Sequence, residues 1–265
     1  MNEPQPEVLM SLLGAYHSGE KLVMLFDYDG TLTPIVEFPW LAKLEPRTRD
    51  MLAQFTVLPR VHVGVVSSRR LEEVEQMVAI PGLFYSGNSG IEVKLKDATL
   101  VHPAAAQGAP LIDEMARRLA AIEEVYPGAW VEHKRYGFTV HYRGVAPSLA
   151  EEAHARILSF LERWTSQLRI VEGPLAVEVT VAGTWTKGDA VRKIMEHVGE
   201  PAFVCYAGDA DNDADAFRLV TSRGGIALGV GPLAPPGAAQ FDDPNGLVDW
   251  LDEILQALAT ETVET

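Results

Sequence analysis

The sequence predicts an α/β protein: a parallel-sheet core interrupted by an inserted α+β domain. Three observations lead there. Over roughly the first ninety residues short apolar runs alternate with amphipathic stretches, which is the rhythm of βαβ units. The middle of the chain changes to helices joined to paired, alternating segments, and the last third returns to the first rhythm.

The first buried-strand candidate is Leu22 to Phe26. Pro46 then opens a helix in which Met51, Leu52 and Phe55 fall at helical spacing, and Val61 to Val66 forms a second apolar, β-branched run. Leu71 to Val78 reads as a helix and Leu83 to Gly87 as a third short strand. In the middle, Pro110 to Tyr126 is a helix, followed by Trp130 to Lys134 and Phe138 to Arg143 as a hairpin turning at Arg135-Tyr136-Gly137. Ser148 to Trp164 adds a helix, and Leu168 to Gly173 and Leu175 to Thr180 add two strands. Residues 104–182 are thus expected to form the inserted domain, with 1–103 and 183–265 as the core domain. Past the insertion come a helix (Lys187 to Val198), a strand and loop (Ala202 to Asp209), a helix (Asn212 to Val220), a strand (Gly224 to Val230) and a closing helix (Leu247 to Leu258). Pro232, Pro235, Pro236 and Gly237 mark a surface loop, and Ala259 to Thr265 reads as a frayed tail.

Composition narrows the function classes. The 265 residues carry 22 Lys+Arg against 37 Asp+Glu, a formal net charge of −15. Such a field repels polyanions, so nucleic acid and anionic membrane surfaces are excluded as main partners. The single cysteine, Cys205, rules out an internal disulfide and any multi-Cys zinc site, and its apolar neighbours mark it as a buried strand thiol. The first residues lack a basic and then apolar leader pattern, and no window approaches the ~20 apolar residues of a membrane span. A cytoplasmic protein, monomeric or weakly dimeric, is the expectation.

Two acidic segments carry chemistry. In Phe26-Asp27-Tyr28-Asp29-Gly30-Thr31, two carboxylates leave the end of an apolar strand, the place where open α/β sheets bind ligands. Strand alternation would set Asp27 and Asp29 side by side. At ~4 Å two carboxylates repel by about 4 kcal/mol at an effective dielectric of 20, which calls for a cation or a shared proton. The second segment, Gly208-Asp209-Ala210-Asp211-Asn212-Asp213-Ala214-Asp215, also follows an apolar run. Asp211 and Asp215 suit a solvated helix start. An EF-hand loop fails, because Ala214 stands where its turn needs glycine and Val220 where a bidentate Glu is due. Asp209 and Asp213 are better read, with Asp27 and Asp29, as oxygen ligands for magnesium. Ser67-Ser68-Arg69 and Lys187-Gly188, both at strand-to-helix junctions, supply hydroxyl, N–H and ammonium groups for an anionic substrate.

These four segments resemble motifs one to four of the haloacid-dehalogenase-like phosphatases, and the inserted middle is similar to that superfamily's α+β cap on its Rossmann-like core. Within it, Val131 to Arg143 and Leu175 to Val191 resemble the cap hairpin and motif-three approach of trehalose-6-phosphate phosphatases. The resemblance implies an aspartyl-phosphate mechanism, with Asp27 as nucleophile and Asp29 as acid and then base, holding a proton near neutrality. It implies Mg2+ on the Asp27 carboxylate, the Asp29 carbonyl and Asp209, with Asp213 bound directly or one shell out, and Ser67 and Lys187 on the transferred phosphoryl group. It further implies that Glu132, Lys134 and Glu178, with Arg143, Arg69 and Asn88, bind a sugar phosphate. Three positions depart from the family pattern: Ser68 for glycine, Ala210 for a second aspartate, and Ser89 for histidine in Gly87-Asn88-Ser89-Gly90. They leave the four catalytic positions intact and bear on which sugar is bound. Another glycosyl phosphate (glucosylglycerol phosphate, mannosyl- or glucosyl-phosphoglycerate), a phosphomutase, or a non-catalytic sugar-phosphate-binding module are the competing readings.

Overall fold

The computed structural model describes residues 6–237 and 239–261. Its strands are β1 (Lys21–Phe26), β2 (Val61–Val66), β3 (Phe84–Gly87), β4 (Glu92–Lys94), β5 (Thr99–Val101), β6 (Trp130–His133), β7 (Gly137–His141), β8 (Leu168–Gly173), β9 (Ala176–Val181), β10 (Ala202–Gly208), β11 (Ile226–Val230) and β12 (Ala239–Phe241). Its helices are α1 (Pro6–His17), α2 (Pro46–Val57), α3 (Leu71–Val78), α4 (Pro103–Leu119), α5 (Ile122–Val125), α6 (Pro147–Leu161), α7 (Lys187–Val198), α8 (Ala214–Ser222) and α9 (Pro244–Glu261). The chain divides into two units, Met1–Leu100 with Thr186–Thr265, and Val101–Trp185.

The first unit is built on a sheet of order β12-β11-β10-β1-β2-β3-β4-β5. The six strands from β12 to β3 run parallel, and β4 pairs antiparallel with β3. Five of the six residues of β1 are buried, as expected of a strand covered on both faces. Leu22, Met24 and Phe26 pack with α1, α2, α3 and α9 through Leu12, Leu52, Phe55, Val74, Leu251 and Leu258. α7 packs on the sheet through β1, β2, β3 and β10 and against α8, which covers β10 and β11. Among the described residues no helix is long and apolar enough to cross a membrane.

The second unit has an antiparallel sheet of order β6-β7-β9-β8. Phe138, Val140, Val177 and Val179 point to one face, where they meet Ile112 and Met115 of α4 and Ala153, Ile157 and Leu161 of α6. Successive side chains alternate across a strand, so Thr139 and Glu178 stand on the opposite face.

Several elements differ from the sequence expectation. α4 starts at Pro103 instead of Pro110, because the His102 side chain accepts the Ala104 N–H as a cap and Pro103 enters at the first turn. The expected helix to Tyr126 breaks after Leu119 into the short α5. α9 continues to Glu261 through the start of the expected tail, and residues 262–265 lie outside the described ones. α1, β4, β5 and β12 were not expected. Phe138 is fully buried on the central strand pair β7–β9, so Phe138→Ala should destabilise the second unit by about 3–5 kcal/mol, read as a lower midpoint in urea unfolding.

Candidate active site

Four loops at the carboxyl ends of neighbouring parallel strands make the site: those after β1, β2, β3 and β10. Asp27 extends the β1 ladder by one step, its N–H donating to the Ala207 carbonyl at 2.9 Å. Its Oδ1 then accepts the Tyr28 N–H at 2.7 Å, and the chain turns back, with the Leu32 and Thr33 N–H groups both on the Tyr28 carbonyl. Gly30 sits in this turn at φ +81°, and a Cβ there would lie 2.1 Å from Asp209 Oδ2. Only glycine permits both the conformation and the approach of the acidic loop.

Lys187 is the first residue of α7, set by the Thr186 cap and the reciprocal Asp189 side chain. It is 1% exposed. Its Nζ lies 2.9 Å from Asp27 Oδ2 and 2.8 Å from Asp213 Oδ1. Burial alone would lower its pKa, but the Asp213 and Asp27 carboxylates outweigh that and hold the ammonium above its ordinary value. Asp213 is fully buried and accepts four hydrogen bonds. Lys187 and the Tyr206 hydroxyl, at 2.6 Å, share Oδ1; the Asp209 and Ala210 N–H groups, at 3.1 and 3.3 Å, share Oδ2. Tyr206 carried no sequence signal, since it reads as one more residue of an apolar strand.

The carboxylate oxygens of Asp27, Asp209 and Asp213 lie within 4.8 Å of one another. Burial, and then its carboxylate neighbours, raise Asp27 well above its ordinary value. The same causes push Asp209 up to about 7. One ammonium does not balance three acids, and an all-oxygen donor set of this kind fits a hard divalent cation.

Asp29 differs from the strand-alternation expectation. β1 ends at Phe26, so alternation stops before Asp29. Its carboxylate meets Arg69 instead, with Nε on Oδ2 at 2.7 Å and Nη2 on Oδ1 at 2.8 Å. Ser67 is buried and its Oγ accepts the Arg69 N–H at 3.2 Å. The turn Asn88–Gly90 locks onto this loop, with Asn88 N–H on the Arg69 carbonyl at 2.7 Å and Ser89 N–H on the Ser67 carbonyl at 3.1 Å. The Asn88 side chain donates to Glu92 at 2.5 Å, inside the protein. Two of the departures from the family pattern touch: Ser89 Oγ donates to Ser68 Oγ at 2.8 Å, and the Asn212 amide donates to the same hydroxyl at 3.1 Å.

In the second unit the β6-β7-β9 register aligns Glu132 with Thr139 and Thr139 with Glu178. Glu132 Oε2 lies 2.8 Å from His141 Nε2, and His141 stacks on Trp130 at 4.3 Å. Lys134 is buried at the hairpin turn, where its N–H donates to Gly137. Arg143 lies beyond β7 and donates to the Pro174 carbonyl at 3.0 Å, at the turn between β8 and β9, so it stands outside the aligned row.

The charge imbalance has a measurable sign. The folded pKa of Asp209, about 7, exceeds its ordinary 3.8, so its ionisation opposes folding above that ordinary value and does so in full only above pH 7. In metal-free protein Asp209→Asn should therefore gain stability on the order of 1–3 kcal/mol at pH 8, with the gain vanishing near pH 4. Thermal melts in chelator across that range check it. Melts with added magnesium should show stabilisation of the parent chain and little for the variant.

Residues 25–235 match the family model described as Trehalose-phosphatase. The trehalose-phosphate phosphatase of Mycobacterium tuberculosis is 31% identical over 245 residues, covering 89% of this chain and 61% of the relative. The chain thus spans about three-fifths of that relative's length. The trehalose 6-phosphate phosphatase of Zea mays is 30% identical over 274 residues, covering 95% of this chain and 75% of the relative. Among solved structures, the trehalose-6-phosphate phosphatase C-terminal domain of Candida albicans superposes with a TM-score of 0.82 at 22% identity, covering 94% of this chain and 96% of that one. The Candida albicans trehalose synthase regulatory protein C-terminal domain shares the fold at a TM-score of 0.72 and 13% identity, covering 92% and 98%. By the family model and by relatives that align along most of its length, this chain belongs to the trehalose-phosphatase family.

Proposed function

We propose that the protein is a magnesium-dependent phosphatase that hydrolyses trehalose 6-phosphate to trehalose and phosphate through an aspartyl-phosphate intermediate. The observation that carries this reading is the meeting of Asp27, Asp209 and Lys187 at the mouth of one parallel sheet, in a chain of this family.

A carboxylate is a weak nucleophile, and a phosphate monoester is an anion that repels it. Catalysis here is therefore positioning plus charge neutralisation. Asp27 is held by its own backbone turn and by Lys187, leaving it to attack phosphorus in line. Ser67 Oγ and the Lys187 ammonium bind the transferring oxygens. As the bond from phosphorus to the sugar oxygen breaks, Asp29 gives that oxygen a proton. It then takes one from the water that attacks the aspartyl phosphate, which restores the Asp27 carboxylate and frees phosphate. Asp27, Asp209 and the Asp29 carbonyl would hold magnesium, which when bound supplies the positive charge that two acids and a phosphate need to share one site. Asp213, with four hydrogen bonds already accepted, acts through Lys187 and the acidic loop instead of on the metal.

Sugar recognition is assigned to Glu132, Lys134 and Glu178, with Arg143 in a lesser role because it lies outside the aligned row. Carboxylates accept hydrogen bonds from vicinal hydroxyls, which suits a carbohydrate. Arg69 does not extend this set, since its guanidinium is engaged by Asp29, Glu73 and Pro39, nor does Asn88, which is buried with its amide N–H on Glu92.

Asp27→Asn should reduce kcat by about 10³-fold or more while the fold, read by circular dichroism, is kept; steady phosphate release by that variant would refute the nucleophile. A panel of sugar phosphates with added magnesium, compared by kcat/KM, should favour trehalose 6-phosphate, and preference for another glycosyl ester would overturn the substrate. Activity on none, with ligand binding retained, would favour a sugar-phosphate-binding module.

A further inference from the structure

Arg69 is 3% exposed, and its guanidinium fork is nearly full. Beyond the two bonds to Asp29, Nη1 donates to Glu73 at 2.5 Å and Nη2 to the Pro39 carbonyl at 2.6 Å. Four of the five N–H groups that an arginine carries are taken up within the protein. Its guanidinium carbon also lies 5.4 Å from the centre of the Tyr28 ring. Asp29 is the opposite case. Its side chain is 35% exposed, and each oxygen accepts one N–H of the fork and keeps a lone pair free. The acid is fixed in orientation yet reachable, while the arginine that fixes it is not.

The backbone of Arg69 belongs to the Ser67 loop, with its N–H on Ser67 Oγ and its carbonyl on Asn88. One residue therefore ties the phosphoryl-binding loop to the acid. Glu73, one turn along α3, holds the far side of the fork and stops the guanidinium from turning away.

We propose that Arg69 is a positioning residue for the general acid: its bidentate grip, backed by Glu73, aims an Asp29 oxygen at the leaving sugar oxygen, and it does not bind substrate itself. This rests on the proposed phosphatase reading, in which the proton moves from Asp29 to the ester oxygen as the phosphorus–oxygen bond breaks. A lysine keeps the charge but has no fork, so it cannot fix the carboxylate plane.

The test uses the full chain with magnesium and two esters. Trehalose 6-phosphate has a leaving group that needs a proton, whereas p-nitrophenyl phosphate releases a stable anion without one. Arg69→Lys should lower kcat on the sugar ester by about 10²-fold and on the aryl ester by less than about tenfold, because only the first depends on general acid catalysis. KM for the sugar ester should stay within about threefold. In an Asp29→Asn background, Arg69→Lys should change kcat by less than about threefold, since the two act as one unit. Glu73→Gln, at a partly exposed position, should show the same ester selectivity at smaller size and carries the test if the lysine variant does not fold. Equal losses on both esters, losses that multiply with Asp29→Asn, or a raised KM with kcat kept would each overturn the assignment. Parent protein that hydrolyses neither ester sinks the phosphatase reading itself, which is a different result from parent turnover with an unselective Arg69→Lys.

Discussion

One buried ammonium held between two carboxylates, with a third beside them, is the constraint around which this protein is arranged. Taking an ammonium out of water costs several kcal/mol unless acids surround it, and Lys187 finds two, Asp27 from the end of β1 and Asp213 from the loop after β10. Those strands must therefore be neighbours, and they are, in register from Lys21–Ala202 to Phe26–Ala207. The lysine must also come from the start of a helix packed across both. The Thr186 cap and the packing of α7 on β1 and β10 meet that condition. Fold and site are thus not separable here: the parallel order of the sheet is what lets the buried Asp27 carboxylate sit beside the Lys187 ammonium.

The same logic extends to the turn after β3. Asn88 and Ser89 have φ of +49° and +57°, a conformation that costs side-chain-bearing residues free energy and persists only where surroundings over-determine it. Here the surroundings are the Ser67 and Arg69 carbonyls, which take the two N–H groups, and Glu92, which takes the Asn88 amide. Gly90 follows at φ +98°, where a Cβ would lie 2.0 Å from the Thr186 carbonyl oxygen. The turn therefore presses against both the Ser67 loop and the cap of the lysine helix. Seen this way, the Ser68–Ser89 contact is a local replacement of two family-pattern residues by a hydroxyl pair that keeps the loops joined.

Much of this was legible in the chain. β2, α3, β8 and α7 fall on the residues that periodicity and punctuation indicate, because each has a clear apolar pattern and a clear stop. The three-residue strands β4, β5 and β12 were not legible, since three residues are too few for a period. At the site, Asp27, Asp209 and Lys187 came from their position after or before apolar runs, a local signal. Asp27 and Asp29 do not stand side by side, because alternation presumes a continuing strand and the chain turns after Asp27. Tyr206 and the hold of Arg69 on Asp29 were invisible for a different reason: both are contacts made by tertiary packing. Glu73 was within reach, as an acid four residues past an arginine at a helix start is a pair that sequence spacing can suggest.

Charge at the site explains why a chain this acidic suits an anionic ester only with help. Asp27 and Asp213 hold Lys187, with Asp209 beside them, while Asp29 and Glu73 take up Arg69. Both cations are thus engaged by the protein's own acids before any substrate arrives, and the acids outnumber them. Under the proposed function, a phosphate ester approaching this mouth would meet surplus negative charge. Lys187 helps only if Asp27 is given another partner, and the acidic cluster within 4.8 Å is a place where a divalent cation could supply it. In the proposed reaction Asp27 and Asp209 would hold the divalent cation, and its charge would leave more of the Lys187 charge for the transferring oxygens. The way the buried charges pair thus supports a divalent ion in the proposed reaction.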